Sequence, residues 1–326
     1  MSARHSHPSR RQILLACAAG IGAAAVPGLA WSQSKAPETV RIGFQKSSTL
    51  TIYLKAQGTL EKALAPLGVS VQWYEFTSGL PLLEALNVGG LELSADVADA
   101  VPPFAFAADA KLTYYASELP SPTAQAIVVK RDSPITSVAQ LKGQKVGFAK
   151  GAGAHYLLIE ALARNGLSIK DVQPAYLSPA DGRAAFERDA IAAWVIWDPF
   201  LAAVQRQSGA RILVDGTGLS NYRRFYLASS AFAQKRPDVL AVVYDELAKA
   251  GLWTKANPAA AAQFHAPVIG LDAATVEAAN LRRSYNVQPA DAAALEEQQR
   301  IADAFTQQGV LPKKVNIRDV PVWRKG

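Results

Sequence analysis

Sulfur is almost missing from this sequence. Among 326 residues there is one cysteine, Cys17, and one methionine, Met1, where average usage would supply on the order of ten such residues. The chain beyond residue 17 therefore has no thiol nucleophile, no disulfide and no thiolate metal site. Histidine is scarce as well: of four, only His155 and His265 lie outside the first ten residues, too few for a His-rich zinc site. No G-x-S-x-G elbow, P-loop or dinucleotide fingerprint occurs. Past residue 40 no stretch of about 18 uninterrupted apolar residues appears, and neither an internal repeat nor a low-complexity linker is visible. Basic residues are scattered rather than interleaved with aromatics, which argues against a nucleic-acid partner. These absences leave little room for catalysis, for a metal or for a cofactor.

What is present begins with an export signal over residues 1–32. Ser9-Arg10-Arg11-Gln12-Ile13-Leu14-Leu15 leads into an Ala/Gly-rich apolar run that ends near Leu29, and Ala30-Trp31-Ser32 places small residues where a signal peptidase needs them. Cleavage is expected before Gln33. The paired arginines match the twin-arginine (Tat) type of signal; an ordinary Sec signal is the alternative, and a lipoprotein reading of Leu14-Leu15-Ala16-Cys17 suffers from the short apolar segment before the cysteine. The apolar run is too short and too rich in glycine and alanine for a permanent span.

Loss of the signal would remove Arg4, Arg10 and Arg11 and lower the formal charge from +7 to +4. That modest excess suits an anionic ligand. Cleavage would also leave a chain with no sulfur atom. One reading is resistance to oxidation, because methionine sulfoxide disrupts cores. The sharper reading is economy, in a protein made in quantity when sulfur is scarce.

Half of the residues are hydrophobic, enough for a large core in one large or two medium domains. From Val40 onward short apolar strands alternate with amphipathic helices, which predicts an α/β fold with largely parallel sheets. Strand signals fall at 40–44, 69–76, 91–95, 111–118, 126–130, 145–149, 172–177, 193–197 and 211–214. Helical spacing marks 51–64, 80–88, 102–108, 155–165 and 199–207. After about Arg236 only helices are signalled, at 237–255, 259–266, 273–283 and 290–308, with Pro237 and Pro258 at first-turn positions. Such a tail is expected to wrap back onto the first half.

Three stretches offer chemistry. Lys150-Gly151-Ala152-Gly153-Ala154-His155 leads from a strand into a helix, so its amides and the helix N-terminus suit an anion; the plainer reading is a tight turn. Phe44-Gln45-Lys46-Ser47-Ser48-Thr49 does the same after the first strand, with amide, hydroxyl and ammonium donors, one of its hydroxyls serving as an N-cap. Ala193-Trp194-Val195-Ile196-Trp197-Asp198-Pro199 ends a strand on a tryptophan and a carboxylate. Period-two geometry sends Trp194 and Trp197 to opposite faces, one into a core and one to wall a cleft, while Asp198 suits a helix cap.

Taken in order, Arg41-Ile42-Gly43-Phe44-Gln45-Lys46, Leu83-Glu84-Ala85-Leu86-Asn87-Val88-Gly89, Pro102-Pro103-Phe104-Ala105, Ser133-Pro134-Ile135, Leu141-Lys142-Gly143, His155-Tyr156-Leu157-Leu158 and Trp194-Val195-Ile196-Trp197-Asp198-Pro199 resemble the aliphatic sulfonate-binding proteins of ABC importers, within the nitrate/sulfonate/taurine group. The resemblance runs from about Val40 to the C-terminus. It implies a type II periplasmic-binding-protein fold: two α/β domains, residues 38–125 plus 230–326 and residues 126–229, hinged around a ligand cleft. Carried over residue by residue, the ligand-binding candidates are Gln45, Lys46, Ser48, Thr49, Asp99, Gly153, Ala154, His155, Trp197, Asp198, Tyr222 and Phe225, with Lys46 or Arg224 as the balancing charge. Two departures concern the ligand. Relatives commonly carry a small hydroxyl residue where this chain has Ala154, and glycine and aspartate where it has Asp189 and Ala192.

The resemblance implies a periplasmic protein, monomeric and without cofactor, that captures a small sulfonate and delivers it to an ABC importer permease in the inner membrane. Taurine, nitrate or another small organic anion is the alternative ligand, with a carboxylate such as Asp99 or Asp198 facing an amine. An enzyme on the same fold is the alternative of a different class, and a sulfinate-cleaving one would need the nucleophilic cysteine that is missing here.

Overall fold

The computed structural model describes residues 38–326; the export signal and its cleavage before Gln33 lie outside the described residues. Strand β1 (Glu38–Gln45) leads to helices α1 (Thr49–Gln57) and α2 (Thr59–Leu64), then to β2 (Val69–Phe76), α3 (Gly79–Asn87) and the short strands β3 (Leu93–Ser94) and β4 (Val97–Ala98). The spacing predicts one helix over 51–64. The chain instead breaks at Gly58, whose φ of +61° is a left-handed conformation that glycine adopts without a Cβ clash. Helix α4 (Pro102–Ala107) and β5 (Leu112–Glu118) complete this stretch.

A second run follows: β6 (Gln125–Val129), β7 (Lys145–Phe148), α5 (Gly153–Arg164), β8 (Gln173–Tyr176), α6 (Pro179–Glu187), β9 (Ala193–Trp197), α7 (Phe200–Ser208) and β10 (Arg211–Asp215). The chain then returns through β11 (Arg224–Ser229) to the tail, which holds α8 (Ser230–Lys235), α9 (Pro237–Ala256), α10 (Pro258–Ile269), α11 (Ala273–Arg282), the two-residue β12 (Val287–Gln288) and α12 (Ala292–Gln307).

The strands form two sheets. One has the order β12-β5-β11-β3-β1-β2, with β4 beside β11; the other is β10-β6-β9-β7-β8. In each, a parallel trio connected through helices, β2-β1-β3 or β8-β7-β9, meets an antiparallel strand laid down where the chain passes between the sheets: β6 on entering the second, β11 on returning to the first. The sheets are therefore mixed, which corrects the expectation of largely parallel ones. Only the βα-connected trios are parallel; β5, β10 and β12 also run against their neighbours, and strand direction leaves no mark on composition.

Strands β6 and β9 are buried at every position, so they read as unbroken apolar runs. The largest apolar core is continuous from Leu82 and Leu83 on α3, through Ile127, Phe148 and Trp194, to Phe305 on α12. A second core packs Val239, Leu240, Val243 and Leu247 of α9 against Val40 and Ile42 of β1. The tail thus folds back onto the first sheet, and its last residues join it, with Trp323 N–H donating to Tyr114 O at 2.8 Å.

Candidate ligand-binding site

The two sheets face one another across a cavity of about 580 Å³. The first sheet contributes residues at and just past the ends of its strands: Gln45, Lys46 and Ser47 at the end of β1, and Phe76 and Thr77 at the end of β2. The second contributes Ser178, Pro179 and Arg183 at α6, the β9 tryptophans, and Phe200 on α7; Ile269 and Leu271 close it from the tail. The size falls within the range of small-molecule sites, and an apolar, aromatic lining with a few polar groups is their usual composition. Both Trp194 and Trp197 border it, although the alternation of β9 sends them to opposite faces, because Trp197 stands at the end of the strand.

Charge at the cavity is nearly balanced. Lys46 Nζ lies 3.8 Å from Glu75, and Arg183 is paired with Glu187 one turn along α6. The Trp197 indole N–H is buried and, among the described residues, has no acceptor, which leaves one ready donor beside the aromatic wall. Helix α6 is capped by its own Ser178, which accepts from Asp181 N–H at 3.2 Å. Helices α1, α3 and α5 carry no side-chain cap.

Of the residues singled out from the sequence, Gln45, Lys46 and Trp197 border the cavity. Gln45 is fixed by its side-chain amide, which donates to Asp96 O at 2.9 Å. Ser48 occupies the N-cap position of α1, yet its hydroxyl turns back to accept from Gln45 N–H at 3.1 Å. Thr49 points into the tail, 3.3 Å from His265 Nδ1 and 3.1 Å from the Tyr285 hydroxyl. Asp198, the residue before the Pro199 N-cap of α7, accepts from Ala202 N–H in the first turn at 3.0 Å and pairs with Arg282 at 3.1 Å, so its carboxylate is taken up by the helix start and the tail. Burial pushes its carboxyl up to about 7, against the pull of Arg282.

The remaining candidates gather in a closed region that does not border this cavity. A Cβ at Gly153 would stand 2.5 Å from the Tyr222 ring. Tyr222, at a left-handed φ of +50°, accepts from Arg224 Nη2 at 2.9 Å. Ala154 and His155 are fully buried, His155 between Phe148 at 4.8 Å and Phe305 at 5.4 Å between ring centroids. Burial, assisted by Lys150, lowers its pKa to about 4, so the ring is neutral. Phe225 packs on Tyr114 at 5.1 Å, and Asp99 accepts from Arg223 N–H at 3.0 Å; burial raises the Asp99 carboxyl to about 7. Arg224 is buried 3.8 Å from Asp96, which leaves Lys46 as the candidate balancing charge at the cavity.

Sequence reasoning did not single out Phe76, Thr77, Ser178, Arg183, Phe200, Ile269 or Leu271. A signal existed for two of them: the predicted strand at 69–76 ends on Phe76, and Ser178-Pro179 is an N-cap followed by a first-turn proline. Among the described residues there is no cluster of His, Cys, Asp and Glu that would hold a metal. None of the described helices is long and apolar enough to cross a membrane.

Comparison with known proteins places this geometry. The model of the NMT1/THI5-like family matches residues 68–261. The aliphatic sulfonates-binding protein of Escherichia coli (strain K12) is 39% identical over 304 residues, 93% of this chain and 94% of its own. The crystal structure of the alkanesulfonate-binding protein SsuA from Xanthomonas axonopodis pv. citri, bound to MOPS, superposes with a TM-score of 0.84 at 38% identity, covering 90% of this chain and all of that one. The desulfurization enzyme DSZB shares the fold alone, at 18% identity and a TM-score of 0.64 over 87% of this chain and 96% of that one. The mixed two-sheet architecture is a periplasmic-binding-protein fold, and the chain belongs to the NMT1/THI5-like family and, within it, to the aliphatic sulfonate-binding proteins.

Proposed function

We propose that this chain captures an aliphatic sulfonate in the cavity between its sheets and delivers it to an ABC importer permease. The observation that carries this reading is the cavity lining: Phe76, Trp194, Trp197, Phe200, Ile269 and Leu271 suit an alkyl or ring portion, while Gln45, Lys46 and Ser47 offer donors to an anion. A sulfonate stays ionised at every physiological pH, so its capture needs hydrogen bonds and exclusion of water but no traded proton. That requirement suits a binding protein rather than an enzyme, and no cofactor enters it.

The two domains, expected at residues 38–125 plus 230–326 and residues 126–229, close on the ligand about the crossovers between the sheets; because β11 (Arg224–Ser229) pairs in the first sheet, the return boundary of the first domain is drawn ahead of Arg224. The protein acts as a monomer in the periplasm, exported by the signal over residues 1–32. Taurine is the second reading, favoured by Glu75 and Glu187 at the cavity, which would face an ammonium group.

A thermal-shift screen of the exported form against alkanesulfonates, MOPS, taurine, sulfate and nitrate tests both readings. A ligand at 100 times its Kd stabilises the folded state by about 2.7 kcal/mol, a rise in Tm of about 5 °C for a chain of this size. Alkanesulfonates are expected to give that shift and nitrate none. A shift with taurine alone would move the assignment to the second reading, and no shift with any sulfonate would sink both.

A further inference from the structure

The turn between β1 and α1 is only three residues long, Lys46 to Ser48. The helical tail grips it by its backbone. His265, on α10, donates from Nε2 to Lys46 O at 2.5 Å, and Arg283 donates from Nη1 to Ser47 O at 3.2 Å. Within the turn, Ser48 N–H closes on Gln45 O at 2.8 Å and Thr49 N–H on Ser47 O at 3.0 Å. Among the described residues, nothing accepts from the Ser47 N–H.

Lys46 C=O and Ser47 N–H are the two ends of one trans peptide unit, so they point in opposite directions. His265 borders a small polar cavity beside the crossovers, formed with Thr49, Asp198, Arg224 and Arg283, and does not border the large one. Ser47 borders both. A carbonyl drawn toward His265 therefore turns its partner N–H the other way. The protonation of the His265 ring follows from its partners. Because a carbonyl can only accept, Nε2 carries the proton, and Nδ1 is free to accept from the Thr49 hydroxyl 3.3 Å away.

We propose that His265 is a positioning residue: by holding the Lys46 carbonyl it aims the Ser47 N–H into the large cavity as a fixed donor for the ligand's anionic group. This rests on the reading of that cavity as a sulfonate site. A buried donor pointed in advance at an anion contributes more than a mobile side chain, because nothing has to be ordered on binding.

The test compares wild type, His265→Leu and His265→Gln. The glutamine amide reaches the Nε2 position and keeps the bond to Lys46 O; leucine removes it. For hexanesulfonate measured by calorimetry, H265L is expected to bind about 10- to 100-fold more weakly, and H265Q within about threefold of wild type. In ¹⁵N-serine-labelled protein without ligand, the Ser47 amide signal is expected to move in H265L and to stay in place in H265Q. Unchanged binding in H265L, an unmoved Ser47 signal, or an H265Q that folds like wild type yet binds like H265L would each overturn the proposal. Should H265L not fold, His265→Asn replaces it, since its shorter amide cannot reach Lys46 O. A wild-type protein that binds no sulfonate would instead sink the function proposed above and the donor role with it. The ligand-free spectra would then still report whether His265 sets the peptide.

Discussion

Two strand-to-helix turns occupy matching places in the two sheets, β1 to α1 and β7 to α5, and they have become different things. The first, at Gln45 to Ser48, opens on the large cavity and is pinned from behind by His265 and Arg283. The second, at Ala149 to Ala152, is rich in glycine and alanine; Lys150 is exposed, but the chain is buried from Gly151 onward, where Tyr222 lies against Gly153 and His155 is sandwiched by Phe148 and Phe305. Both look like anion sites in sequence, since both place small or polar residues ahead of a helix. What separates them is what packs on top, and that comes from Tyr222, just ahead of β11, and from the tail, more than sixty residues further along the chain.

The strongest way to break the contrast is to remove the clamp on the first turn. Arg283 pairs with Asp96 at 2.8 Å and with Glu118 at 2.6 Å, all three buried. Arg283→Met leaves two buried carboxylates without their cation and is expected to destabilise the protein by about 3–5 kcal/mol, read as the urea midpoint. A loss below about 1 kcal/mol would mean that the tail does not hold this turn.

The second turn is tested through its histidine. The His155 ring stays neutral in the folded protein until about pH 4, while the unfolded chain takes up its proton near 6.5. Between those values the unfolded state binds more protons, so stability falls as pH drops from about 6.5 to 4 and levels off below. Relative to His155→Leu, wild type is expected to lose about 3 kcal/mol over that window. The opposite shifts of Asp99 and Asp198 and the matching one of His265 cancel in the difference. A parallel pH profile for the two proteins would place His155 in water rather than in a core, and a wild type that gains stability toward low pH would place it against an anion.

Much of this fold was legible. The strands at 69–76 and 193–197 and the long tail helices follow from apolar spacing alone. Strand β11, Arg224–Ser229, was not, because its apolar run of four residues lies between a buried arginine and the serine that caps α8. The two-residue β12 is too short to signal. The site was legible in part: Gln45, Lys46 and Trp197 stand at strand ends, where a cleft between α/β sheets draws its residues. Phe200, Ile269 and Leu271 border the cavity only because three distant segments meet there, a fact that no local pattern encodes. Gly153 and His155 stand away from that cavity, and their role is not spelled in the sequence, since a glycine that admits a tyrosine ring is written like a glycine that admits a phosphate.

That distinction gives a prediction of middling size. Gly153→Ala places a Cβ 2.5 Å from the Tyr222 ring and 3.2 Å from Gln125 Oε1, an overpacking expected to cost about 1–3 kcal/mol. If the glycine serves packing, the Tm falls while affinity for hexanesulfonate is kept. If it serves close approach of an anion, affinity falls at an unchanged Tm, and the contrast between the two turns collapses.

The smallest expected effect decides how the first turn works. Lys46 is half exposed and 3.8 Å from Glu75, an ion pair too loose and too wet to stabilise the fold by more than about 0.5 kcal/mol. Lys46→Gln should therefore leave the Tm unchanged. Its effect on sulfonate affinity is the informative quantity. If the anion is held chiefly by fixed backbone and buried donors, removing a screened surface ammonium costs about 1 kcal/mol or less, a loss of up to about fivefold that shrinks as salt is added. A loss of about 100-fold that persists in high salt would mean that the ammonium swings in and makes a desolvated contact. The first turn would then owe its anion binding to the charge on its side chain, and the clamp from the tail would only hold that lysine's backbone in place.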